Sequence, residues 1–313
     1  NRVKGFIINK FRGDIELLAP GIKQFEELVP KPVLGVVPYE KNLVVDEEDS
    51  ISKWSYSTEP GAEGILNVAV IWTPRVSNFT DISPLAYDPS VSLSYINHTS
   101  QLNNPDLIIL PGSKNTIEDL IYLKEQKILE KIRKCHFDGS LILGICGGFQ
   151  MLGNTISDPK NLESKTSECA GLGLFDMDTT FASDKLTRQI ELKTVKSRLF
   201  KKGLKCDGYE IHMGRTNFKS NYPLLFSRIK DENPMNFGII NQNGTVIGTY
   251  LHGFFNNNSL RQELLSYIRL ARNIVNPIKL FNYDQFKQDE LDRLCNLLTE
   301  SIKMNEVSAL IGI

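Results

Sequence analysis

Cysteine is scarce in this chain. Five stand among 313 residues, at positions 135, 146, 169, 206 and 295, an odd number with no Cys-x-x-Cys pair. That excludes a disulfide framework and a structural zinc site, and no metal ligand set is expected. Histidine is rarer still, with four. No run of eighteen apolar residues occurs, so no segment reads as a membrane-spanning helix. The opening Asn-Arg-Val-Lys-Gly-Phe-Ile-Ile lacks a signal peptide's long apolar stretch and small-residue cleavage site. Neither sign of charge is in excess: 36 Lys and Arg face 37 Asp and Glu, for a net charge of −1. No footprint for nucleic acid or an anionic membrane is present. A reducing cytoplasm is the expected compartment, and the Asn-x-Ser/Thr triplets at Asn78, Asn97, Asn243 and Asn257 are expected to carry no glycan.

What is present is an ordinary globular composition, 41% hydrophobic and 23% charged, enough for one large domain or two moderate ones. One stretch stands out. The apolar run Leu141-Ile-Leu-Gly-Ile leads into Cys146-Gly-Gly-Phe-Gln150-Met-Leu, the thiol form of a nucleophile elbow. Gly144, Gly147 and Gly148 remove the side chains that a sharp strand-to-helix turn would crush. A cysteine at a helix N-terminus sits where unpaired N–H groups favour an anion. The plain alternative, a small buried hydrophobe, would not call for three glycines around it.

A parallel α/β grammar surrounds the elbow. Val3–Asn9 and Val33–Val37 read as strands, and Ile15–Leu28 as a helix broken at Pro20-Gly21. These elements are too few to bury a core, so residues 1–45 are expected to be the tail of a domain that begins upstream. Residues 46–64, acidic and rich in turn formers, read as a linker. A fresh domain over 65–275 starts with the strand Leu66–Trp72. The strand Asp106–Leu110 follows, then a helix opened by Thr116 with Asp119 and carrying Ile117, Leu120, Ile121, Ile128, Leu129 and Ile132 on one face. Asp207–Thr216 and Gly244–Gly253 read as further strands, Ser259 as the cap of a helix, and 276–313 as a helical extension ending in Asp289–Met304. Strand, helix, strand, elbow, helix specifies an open, mostly parallel sheet with helices on both faces. Its site lies beyond the carboxyl ends of the strands, where Gly112, Ser113 and Cys146 all fall.

A thiol nucleophile needs a base from elsewhere in the chain. His98 lies in a polar loop and His136 at a helix end, both unremarkable positions. His252 follows the apolar run Val246–Leu251 and precedes Gly253, which sets it at a strand end. It is the candidate base.

Gly144-Ile-Cys146-Gly-Gly148-Phe-Gln150 with Leu251-His252-Gly253 resembles the class I glutamine amidotransferases, in particular the cobyric acid synthase family. Leu110-Pro-Gly-Ser-Lys-Asn-Thr116, Gly208-Tyr-Glu-Ile-His-Met-Gly214, Ile7-Ile-Asn-Lys-Phe-Arg-Gly-Asp14, Val33-Leu-Gly-Val-Val-Pro38 and Ser308-Ala-Leu-Ile-Gly312 extend the likeness along essentially the whole chain. The resemblance implies a flavodoxin-like amidotransferase domain preceded by the remnant of a P-loop-type, dethiobiotin-synthetase-like domain. The latter would use ATP and Mg²⁺ to activate the b, d, e and g carboxylates of a corrinoid, adenosylcobyrinic acid a,c-diamide. Hydrolysis of L-glutamine, which needs no cofactor, would supply the ammonia. No G-x-x-x-x-G-K-[ST] string is present, so the phosphate loop is expected in the N-terminal synthetase portion that this chain does not contain.

Carried onto these residues, the resemblance makes Cys146 the nucleophile and His252 the base. Gly147 with the Gly112-Ser113 loop would hold the oxyanion, and Gln150 would help hold the substrate. One position departs from the pattern. Glu is common two residues after the histidine, where this chain has Phe254, so another acceptor must orient the ring or the site is a dyad. Glu210 and His212 are the candidates. Asn9–Arg12 are candidates for lining the nucleotide side of the synthetase domain. Competing readings are a cobyrinic acid a,c-diamide synthase, a glutaminase subunit that amidates a peptidoglycan precursor, a cysteine hydrolase or peptidase on a flavodoxin-like fold, and a noncatalytic module.

Overall fold

The computed structural model describes residues 2–41, 43–44, 64–229, 234–274 and 280–312. It divides into two compact units, Asn1–Asp49 with Asp284–Ile313, and Ser50–Tyr283. Nearly all of the segment expected as a linker, 46–64, lies outside the described residues.

In the first unit the strands Phe6–Phe11 and Val33–Pro38 pair in parallel, joined by the helix Ile15–Leu28. Asp14 caps that helix by accepting the Glu16 N–H at 2.8 Å. The break expected at Pro20 does not occur, and the helix runs through it. Proline's fixed φ is itself helical, so it removes one hydrogen bond without forcing an end. The helices Tyr283–Ser301 and Met304–Ile311 are not a separate extension. Lys303 N–H bonds Leu34 O at 2.7 Å and Val44 N–H bonds the Glu290 carboxylate at 2.7 Å, which ties the last helices to the first strands.

The second unit is built on one sheet. The strands Val91–Ile96, Leu66–Ile71, Leu107–Leu110, Leu141–Ile145 and Val246–Thr249 lie side by side and parallel. Every residue of Leu107–Leu110 and Leu141–Ile145 is buried, which is why they read as unbroken apolar runs. The sheet continues antiparallel through Pro234–Ile240 and Leu224–Arg228 to the long strand Met177–Thr194, which pairs with Lys205–Phe218.

The crossover before the elbow is two helices, Thr116–Glu125 and Ile128–Phe137, parted where Lys127 adopts a left-handed φ of 57°. Asn115 caps the first of them, accepting the Glu118 N–H at 3.0 Å. Thr116, expected as the cap, is left as the first helical residue. The helix Asn258–Ala271 likewise begins one residue before the cap expected at Ser259. Ile71, Leu110, Ile145 and Thr249 end their strands on one edge of the sheet, and the segments that follow them build the site.

Candidate active site

Cys146 stands between the strand Leu141–Ile145 and the short helix Gly147–Met151 with φ 51° and ψ −107°, a conformation that costs an L residue about 1–3 kcal/mol. The glycines make the turn possible. A Cβ on Gly144 would lie 2.6 Å from Gly148 O, and one on Gly148 would overlap the Leu110 carbonyl. The bond from Cys146 N–H to Thr249 O, 2.8 Å, anchors the turn to the neighbouring strand. The thiol is buried and its Sγ lies 3.4 Å from the carbonyl of Ile211.

His252 is fully buried. Its Nδ1–H donates to Asp81 Oδ2 at 2.7 Å, while Asp81 Oδ1 accepts the Gly253 N–H at 2.7 Å. One carboxylate thus fixes both the ring and the main chain beside it, leaving Nε2 for the thiol. Tyr209 stacks on the imidazole, centroids 4.9 Å apart and planes 12° off parallel. The two residues also exchange backbone hydrogen bonds of 2.9 and 3.2 Å. That approach requires Gly208, where a Cβ would overlap His252 O. Burial is the largest influence on the His252 charge and opposes it. Hydrogen bonds and charge from Asp81 and Cys146 outweigh burial and hold the imidazolium up to about 10. Asn78 brings its amide nitrogen to 3.2 and 3.3 Å from the two ring nitrogens.

The acceptor that orients His252 is therefore Asp81, from the single 3₁₀ turn Phe79–Asp81, and not Glu210 or His212. The Glu210 oxygens are taken, one by Arg188 at 2.7 Å and the other by His212 Nε2 at 2.8 Å. Burial pushes the Glu210 carboxyl up, but these bonds prevail and hold it below the ordinary range. His212 Nδ1 meets Gly214 O at 2.8 Å, and its ring stacks on Tyr250 at 4.1 Å. Phe254, where a glutamate is common, is buried among Phe200, Phe226 and Phe255.

The other expected residues meet around the thiol. Gly112 and Ser113 pair with Ser77 and Val76, and a Cβ on Gly147 would stand 3.0 Å from Ser113 N, so the two main-chain segments flank Cys146. The Ser113 hydroxyl is not free. It donates to buried Asp119 at 2.6 Å, which Thr73 also meets at 2.7 Å. Gln150 is buried, with Oε1 3.3 Å from Thr116 Oγ1. A cavity of about 370 Å³ opens here, lined by Cys146, Gln150, Ser113, Asn78, Glu163 and His212 among others. A larger groove, about 950 Å³, runs along Arg188–Leu192 and Lys205–Asp207. The thiol of Cys206 there is pushed up to about 12, chiefly by burial.

Asp81 and Glu163 escaped the sequence reading, as did Asn78 and Tyr209, which meet the His252 ring. Asp81 lies 171 positions before His252, and its one signal is that it follows the carboxyl end of the first parallel strand. Glu163 sits on a loop with no periodic pattern at all.

A thiol at a strained elbow, a buried histidine and a carboxylate on its far nitrogen are the parts of a covalent acyl-transfer site. Residues 67–260 match the model of the CobB/CobQ-like glutamine amidotransferase domain, and the chain belongs to that family. Among curated proteins it is 42% identical to a cobyric acid synthase of Clostridium tetani, over all of this chain and 61% of that protein. It is also 42% identical to a cobyric acid synthase of Listeria monocytogenes, over 98% of this chain and 59% of that protein. The chain thus spans about three fifths of the length of these relatives. Among solved structures, one chain of PurLQS from Thermotoga maritima is 22% identical with a TM-score of 0.50, covering 65% of this chain and 99% of its own, a likeness of fold alone. No helix among the described residues is long and apolar enough to cross a membrane.

Proposed function

We propose that this chain supplies the glutamine-hydrolysing half of a cobyric acid synthase, a step of cobalamin biosynthesis. The observation that carries the reading is the line from Asp81 through His252 to the strained Cys146. His252 takes the thiol proton, and the thiolate attacks the side-chain amide carbon of L-glutamine. The N–H groups of Gly147 and Ser113 receive the oxyanion, each worth about 3 kcal/mol in such sites. His252 then returns the proton to the departing ammonia, leaving a glutamyl thioester that water cleaves to glutamate. The ammonia serves acyl phosphates formed with ATP and Mg²⁺ on the b, d, e and g carboxylates of adenosylcobyrinic acid a,c-diamide. The residues for that second half are assigned to the N-terminal portion that the relatives have and this chain does not contain. Residues 1–49, with their parallel strand pair, are its continuation.

The test is glutamate release by this chain and by Cys146→Ser, each with and without the N-terminal portion, ATP, Mg²⁺ and the corrinoid. Release that depends on Cys146, rises on addition and yields corrinoid amides supports the reading. An inert completed protein overturns it.

Tyr209 gives a finer check. Tyr209→Phe keeps the stacked ring and should leave glutamate release within about threefold. Tyr209→Leu forfeits a contact of about 1 kcal/mol and should lower it by about fivefold. Equal rates for the two variants would remove the ring from the mechanism.

A further inference from the structure

The Ser113 N–H, assigned above to the oxyanion, belongs to a segment that the main sheet does not hold. Gly112 and Ser113 meet Ser77 and Val76 in an antiparallel ladder of two residues on each side, too short to be stable alone. The pairing nevertheless decides where that N–H points. One register step on, Lys114 N–H bonds Arg75 O at 2.8 Å, so Arg75 and Lys114 are a hydrogen-bonded pair. Antiparallel pairs alternate, which makes Val76 and Ser113 a pair that exchanges no main-chain bond. The Ser113 N–H is therefore turned away from the ladder and toward the elbow, where a Cβ on Gly147 would stand 3.0 Å from its nitrogen.

A side chain from the following helix fixes this short ladder. Asp119 lies in the first turn of Thr116–Glu125 and is fully buried. Its Oδ2 accepts the Ser113 hydroxyl at 2.6 Å and the Thr73 hydroxyl at 2.7 Å. One oxygen thus ties one strand of the ladder to the segment that leads into the other. Arg75 approaches Oδ1 at 3.5 Å. The Ser113 Oγ, while donating to Asp119, accepts the Asn115 N–H at 3.0 Å, so its rotamer is set from both sides. A buried carboxylate is tolerated only where its bonds compensate the burial, and the partners that compensate it here all lie on or beside the ladder.

We propose that Asp119 is a positioning residue for acyl transfer at Cys146: through the Ser113 hydroxyl it keeps the Ser113 N–H aimed at the oxygen that becomes the oxyanion. This rests on the glutaminase reading and adds to it the side chain that sets the geometry of its oxyanion site. Such a donor helps only when it is aimed at where charge develops. A loosened tie therefore slows acylation and leaves both the thiol and substrate binding in place.

Glutamine turnover forms an oxyanion, whereas alkylation of Cys146 by iodoacetamide forms none. Asp119→Asn keeps the shape and removes the charge. Assayed with the N-terminal portion, ATP, Mg²⁺ and the corrinoid, its kcat for glutamine should fall about tenfold or more while KM stays within about threefold. Labelling of Cys146 by iodoacetamide should stay within about twofold, since it follows the thiolate alone. Ser113→Ala cuts the same tie but keeps the N–H and the bond from Thr73 to Asp119. It should reproduce this pattern, and it decides the matter where Asp119→Asn does not fold. With Ser113→Ala in place, adding Asp119→Asn should cost less than about twofold further, because both changes remove one interaction. An unchanged kcat in Ser113→Ala or in folded Asp119→Asn, kcat and labelling falling together, or losses that multiply in the double variant overturn the assignment. A parent protein without Cys146-dependent glutamate release instead sinks the glutaminase reading, and the role of Asp119 with it.

Discussion

Replacing Cys146 with serine is expected to lower glutamate release from L-glutamine by about ten-thousand-fold or more, since the hydroxyl keeps the geometry but not the nucleophile. The same position makes a second, opposite prediction. With φ 51° and ψ −107°, the cysteine holds a backbone shape that glycine adopts freely. Cys146→Gly should therefore abolish turnover and stabilise the fold by about 1 kcal/mol, read as a higher denaturant midpoint. A glycine variant less stable than the parent would mean that the thiol's packing outweighs the strain of the turn.

Asp81→Asn is the second large effect. The amide cannot accept as strongly from Nδ1–H and can present a donor there instead, so the ring loses the tautomer that leaves Nε2 facing the thiol. Turnover should fall about a hundredfold or more. The pH dependence gives a sharper reading. His252 is held up to about 10 against an ordinary 6.5. Its contribution to stability is therefore complete below about pH 6.5 and is lost as pH rises to about 10. In Asp81→Asn that loss should shrink, and the alkaline limb of kcat/KM for glutamine should move to lower pH. An alkaline limb that does not move would take the orienting role away from Asp81.

The elbow was legible because its signal is local: an apolar strand, a cysteine and three glycines within eight residues can hardly be anything but a tight strand-to-helix turn. His252 was legible for the same reason, standing between an apolar run and a glycine. Its partner was not. Asp81 sits in a turn of three residues, too short to leave a period, and proximity to His252 is a property of the sheet order alone. The string Tyr209-Glu-Ile-His212 shows the limit most clearly. Alternation says that its side chains point two ways, but only the placement of Lys205–Phe218 gives each residue its work. Tyr209 lies on His252, Ile211 offers its carbonyl to Cys146, and Glu210 and His212 bind each other. At Pro20 the local rule overreached, because one lost bond in a helix of fourteen residues does not end it. The expected single crossover helix divided for a comparably small reason, one left-handed lysine.

The pairing of residues 1–49 with 284–313 sets an order of events during synthesis. The strands Phe6–Phe11 and Val33–Pro38 leave the ribosome well before the helices that cover them. The whole unit of Ser50–Tyr283 must be translated in between, which takes on the order of tens of seconds at ordinary elongation rates. Throughout that interval the strands Phe6–Phe11 and Val33–Pro38 are without the C-terminal helices that tie onto them. The glutaminase-type unit has all its own parts in hand first, so the newborn chain acquires its thiol site before the unit that brackets it in sequence can close.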